Sequence, residues 1–145
     1  MSVNEVILLV SSEDMLSTLK KAPEKVKIEG RFYRLTTYLW RDFMPRSPSN
    51  GKPLMAVIKV IPFDSLKFPK TLDADRLWII NDQNVWETDL IGRELPQSGA
   101  FLEKGARNGP KWNPRIGVDV IVRLITPSQN TYFLKASNQI IHQTH

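Results

Sequence analysis

RLWIINDQNVWETDL, residues 76 to 90, decides how the rest of the chain is read. Two runs rich in apolar, β-branched and aromatic residues flank a polar centre, the pattern of an antiparallel hairpin. With Asp82 and Gln83 as a two-residue turn, Ile80 falls opposite Val85, Ile79 opposite Trp86 and Trp78 opposite Glu87. The same register sets Arg76 against Asp89, a cross-strand pair of opposite charge.

A period of two continues on both sides of this stretch. KVKIE (25–29) alternates, and RFYRLTTYLW (31–40) puts Tyr33, Leu35, Thr37 and Leu39 on one face, with Phe32, Arg34, Tyr38 and Trp40 on the other. LMAVIKVI (54–61) points Leu54, Ala56, Ile58 and Val60 inward and Lys59 outward. GVDVIVRLI (117–125) buries Val118, Val120, Val122 and Leu124 and leaves Asp119 and Arg123 opposite. TPSQN then turns into TYFLKA as another hairpin, and NQIIHQTH (138–145) reads as a loose tail or a short edge strand. FMPRSPSNGKP (43–53), with three prolines and a glycine, is a loop.

One segment departs from this pattern. SSEDMLSTLKKAP (11–23) is a short helix: Ser11 or Ser12 caps it, Glu13 and Asp14 suit its positive end, Lys20 and Lys21 its negative end, and Pro23 stops it. Its stripe of Met15, Leu16 and Leu19 must dock, because a helix this short is marginal alone. The run Val6 to Val10 is either a strand or an early helical turn.

A chain of 145 residues, 41% hydrophobic and 24% charged, is one domain's worth of ordinary globular composition. The expected organisation is a helical segment (1–23), a β body (24–137) and a tail (138–145). Six or seven strands without crossover helices predict a mainly β, antiparallel two-sheet sandwich of immunoglobulin-like kind with one short N-terminal helix; a partly open barrel is the alternative.

Composition also narrows the chemistry. There is no cysteine, hence no disulfide, thiolate metal site or cysteine nucleophile. The first residues carry neither a signal-peptide pattern nor an apolar run long enough to span a membrane, so a cytoplasmic protein without membrane contact is expected. The formal charge of +5 is unevenly spread. Residues 31–52 hold five cations against Asp42, for +4, and residues 101–115 hold four against Glu103, for +3. Residues 72–95 hold six acids against Arg76 and Arg93, for −4. Such asymmetry steers anionic partners or head-to-tail association, or is simply solvated surface.

Motifs for catalysis are absent. The only histidines, His142 and His145, are at the end of the chain, and their spacing would suit a divalent ion only on a helix with a third ligand. SPSNGK fails as a phosphate loop: Arg46 stands where the first glycine belongs, and Pro53 follows Lys52. Asp73 and Asp75 lack the further acids and glycine of a calcium loop. Glu87 and Asp89 share a strand face and could form an acid/base pair, though pairing with Arg76 takes precedence. No cofactor, metal or catalytic residue is expected.

Two binding surfaces stand out. TYLWRDFMP (37–45) ends a strand with Trp40, Arg41, Asp42 and Phe43 in a row, which cannot all face one core. If the N-terminal helix does not cover that surface, a homodimer contact is the natural alternative. GARNGPKWNP (105–114), extended to Lys104 and Arg115, surrounds Trp112 with Lys104, Arg107, Lys111 and Arg115. There Trp112 either stacks bases while the cations take phosphates, or plugs an open end of the fold.

TYLWRDFMP, GKPL and RLWIINDQNVWETDL together resemble an uncharacterised bacterial family, a domain of unknown function, over roughly residues 30 to 137. The resemblance implies a β-sandwich and carries no activity, cofactor or site residue. The functional expectation is therefore a non-enzymatic module binding a protein partner or a second copy through Trp40, Arg41 and Phe43. The alternative is an anion or nucleic-acid binder using Arg107, Lys111, Trp112 and Arg115.

Overall fold

A computed structural model describes residues 14–92 and 99–144. Val6 to Val10, the caps Ser11 and Ser12, Glu13, Arg93, Glu94 and His145 lie outside the described residues. The protein is mainly β. In chain order the strands are β1 (Val26–Ile28), β2 (Arg31–Asp42), β3 (Leu54–Pro62), β4 (Asp73–Asn81), β5 (Asn84–Asp89), β6 (Ile91–Gly92), β7 (Leu102–Gly109), β8 (Gly117–Ile125) and β9 (Thr131–Thr144). The two beyond the expected seven are β6 and β7, and β7 takes in residues 105–109, the first half of the expected basic loop.

The hairpin of residues 76–90 has the register read from the sequence: Arg76 opposite Asp89, Trp78 opposite Glu87, Ile79 opposite Trp86 and Ile80 opposite Val85. Asp82 makes the turn at a positive φ of 56°, a conformation that Asp tolerates better than most residues. The inward sets of β3 and β8 are likewise buried. Each is half of a water-excluding pair of neighbours, which is why alternation alone located them.

The assembly of these strands differs from two antiparallel layers. They form one sheet in the order β5-β4-β8-β9-β2-β3-β7-β6, with β1 added beside β2. This sheet curls into a nearly closed barrel because residues 84–92 run as one bridge. β5 pairs with β4 at one end of the order, and β6 pairs with β7 at the other. Between them the Leu90 amide donates to the Asp75 carbonyl at 3.1 Å. Register shifts in the β3/β7, β4/β8 and β8/β9 ladders supply the bending that closure needs.

The tail expectation is overturned as well. Residues 138–144 continue β9, which pairs antiparallel with β8 and then parallel with β2, Leu39 opposite Ile141 and Trp40 opposite His142. No crossover helix is required, since the rest of the barrel is itself the long return between β2 and β9. Ile141 is fully buried, and its amide and carbonyl bond to Ile116 and Arg115.

Two apolar clusters result. The barrel interior holds Tyr33, Leu39, Ile58, Leu77, Val120 and Leu134, among others. A smaller cluster lies outside the barrel, where the helical residues 14–20 and Ala22 cover Trp78, Ile80, Ile121 and Phe133. Leu19 is its anchor at 1% exposed and Leu16 packs beside it, while Met15 remains exposed. β4 is thus buried on both faces, and the helix lies away from Trp40. Among the described residues no helix is long and apolar enough to cross a membrane.

Candidate functional site

The outward residues of β2 are the even-numbered ones, Phe32 through Trp40, opposite in sense to the buried Tyr33, Leu35 and Leu39. Register then builds rows across the outer wall. Trp40 stands between His142 on β9 and Met55 on β3. Tyr38 stands beside Val57, Val57 beside Gly105 on β7, and Gly105 beside Ile91 on β6. Tyr38 stacks on His142 with ring centres 4.8 Å apart and planes 13° apart, and lies 5.4 Å from Trp40.

Gly105 puts no side chain into this wall, which leaves a depression of about 210 Å³ bounded by Trp40, Met55, Val57, Ile91 and Arg107. Arg107 reaches it through a bulge. Leu54 pairs with Gly109 and Ala56 with Ala106, so Arg107 and Asn108 together oppose Met55, and Asn108 takes a φ of 68°. The strand-end surface and the basic loop, far apart in sequence, therefore meet at Trp40 and Arg107.

The other expected site residues lie elsewhere. Arg41 is 3% exposed, inside the end of the barrel. Its guanidinium donates to the carbonyls of Lys52 and Trp112, each at 2.9 Å, and to that of Asn50. Burial pulls its pKa below the ordinary guanidinium value. Phe43 sits 4.9 Å from that guanidinium and packs on Gly51. These two residues fasten the 43–53 loop.

Trp112 is half-buried against the interior core, the arrangement of a plug. Lys111 donates to the Asn50 side chain at 3.0 Å, and the Arg115 amide donates to Ile141 at 2.6 Å. Residues 110–115 thus close over the barrel end, while residues 104–107, on β7, border the aromatic wall.

The acids lie on another part of the barrel. Arg76 bridges Glu87 and Asp89, and Arg123 makes a two-pronged pair with Asp75 at 2.9 and 2.7 Å. That pairing holds the Asp75 carboxyl below its usual range. Asp73 pairs with Lys104, which also donates to the Ala74 carbonyl and so ties β4 to β7 across the closing seam. Glu87 and Asp89 serve Arg76 instead of standing as an acid/base couple. His142 lies on a strand rather than a helix, and among the described residues no group of three metal-ligating side chains gathers.

Sequence reading missed Met55, Val57, Ile91, Ile140 and His142 as members of the wall. Parity places each outward on its own strand, but only the β9–β2 and β6–β7 pairings bring them together. Compared with protein-family models, curated proteins and solved structures, the chain matches none of them.

Proposed function

We propose that the protein is a non-enzymatic interaction module that docks a second copy of itself on the outer wall around Trp40. One observation carries this reading: aromatic and aliphatic side chains cluster on this wall beside Arg107, and no other described element covers them. Tyr38 is 47%, Ile140 45% and Ile91 61% exposed around the Trp40 depression, while the one helical segment described packs on Trp78 instead. Tyr, Trp, Met and Arg are the residues enriched in the cores of protein interfaces, and anchors of this kind beside a pocket carry most of the binding energy. A symmetric dimer would pair each depression with its partner's aromatic row.

Sedimentation velocity over a concentration series tests the reading. The wild-type chain is expected to pass from monomer to dimer. Trp40→Ser should weaken that association by about 2 kcal/mol or more, roughly thirtyfold in Kd, with an unchanged circular dichroism spectrum. Lys111→Ala should behave as wild type. A monomer at every concentration, or a Trp40→Ser variant that dimerises normally, would overturn the proposal.

A further inference from the structure

The other end of the same outer wall has a different chemistry. There Lys25 places its ammonium 4.4 Å from the centre of the Phe32 ring and 4.9 Å from that of Phe63, and Lys27 lies 5.7 Å from Phe32. Further along, Lys59 sits 4.7 Å over Phe101. Phe32 and Phe63 are 40% and 49% exposed. A cation over the centre of a ring sits on its face rather than its edge. Phe32 on β2 and Phe63 just past β3 are thus exposed rings with an amine on the face, the half-buried Phe101 just before β7 has one too, and Arg34 projects from the same side of β2 as Phe32.

Two of the acids nearby are already engaged. Asp64, which follows Phe63, is gripped by Arg31 at 2.8 and 2.9 Å, and Glu103 lies 3.9 Å from Lys59. Arg31 also donates to the carbonyls of Leu66 and Lys67, so the loop that carries Phe63 is braced from below. A braced loop holds its ring in the orientation seen.

We propose that this patch, Lys25, Lys27, Phe32, Arg34 and Phe63 with Lys59 and Phe101 beyond, binds single-stranded nucleic acid. Bases stack on the phenyl faces, displacing the ammonium groups from the rings onto the neighbouring phosphates. A duplex keeps its bases stacked on each other and cannot use the rings. The chemistry expected of the Trp112 loop is supplied here by a sheet face instead. This site is separate from the Trp40 depression and does not depend on self-association.

Fluorescence anisotropy with a short labelled oligothymidylate, and with a duplex of equal length, decides the matter. Binding is expected at low salt, tighter for the single strand, and at least tenfold weaker when salt is raised severalfold. The Phe32→Ala/Phe63→Ala double variant should lose about tenfold in affinity. Its sedimentation should match wild type, which shows it folded and keeps this test apart from that of the dimer. Phe32→Tyr/Phe63→Tyr, which retains the rings, should bind as wild type. Lys111→Ala/Arg115→Ala should leave affinity unchanged. Absence of binding at low salt, equal affinity for duplex and single strand, or loss confined to the Lys111 and Arg115 variant would each overturn the proposal. Binding to anionic lipid vesicles with none to the oligonucleotide would do so too.

Discussion

Arg41 shows what one side chain does in this barrel. It occupies an odd-numbered, inward position of β2, the parity of Tyr33, Leu35 and Leu39, so alternation already places it inside. Reading it with its neighbours Trp40 and Phe43 as one surface overrode that signal. Three main-chain carbonyls from two loops converge on its guanidinium, and all would lose a charged donor together. Arg41→Met should cost about 2–4 kcal/mol in urea unfolding, since breaking a buried charge-assisted set leaves its partners unsatisfied. A loss below about 0.5 kcal/mol, the size of an ordinary surface change, would refute this role. Asp64 gives a second residue-scale expectation. Hydrogen bonds from Arg31 hold its carboxyl down at about 2, below its unfolded value of about 3.9. The Arg31 pair therefore supports the fold fully above about pH 4, and that support disappears as pH falls through about 2. Urea midpoints measured across this window should fall less steeply for Asp64→Asn than for wild type; parallel curves would contradict the pairing.

At the scale of elements, the β4–β5 and β8–β9 hairpins are legible and the closure is not. Hairpin register follows from a short turn and local alternation, which a sequence displays directly. The parallel meeting of β2 with β9 joins residues about a hundred positions apart, and nothing local in NQIIHQTH announces it. Its alternation is weak to the eye because Ile140 faces out beside a buried Ile141. The seam between β5 and β7 depends on one contact of this kind. Trp86 lies flat on Gly109, and a β-carbon there would meet the indole carbons at 2.6 to 2.8 Å. Gly109→Ala should therefore displace Trp86 and cost about 1–3 kcal/mol, the usual range for overpacking, visible as a lower thermal midpoint and an altered tryptophan fluorescence. Unchanged fluorescence would mean that the seam does not rely on this contact.

At the scale of the whole molecule, closing the barrel turns segments of charge into faces. Residues 31–52 and 101–115, the two basic stretches, contribute β2 and β7 on either side of β3. The acidic stretch forms β4, β5 and β6, with its carboxylates tied to Arg76 and Arg123 and, through Asp73, to Lys104 of β7. The charges could be counted in the sequence, but which faces they form depended on the strand order. The same holds for the surface proposed to dimerise. Trp40 was legible as a residue without a place in the core, whereas its neighbours Met55, Ile91 and His142 come from three other strands. That Trp40 is the centre of a face covered by a second copy is tested most directly by nitrogen-15 spectra of the four indole groups over a dilution series. Trp40 should shift with concentration, while Trp78, 2% exposed beneath the helical segment, stays fixed. Four indole signals that do not move on dilution, or a shift confined to Trp78, would contradict it.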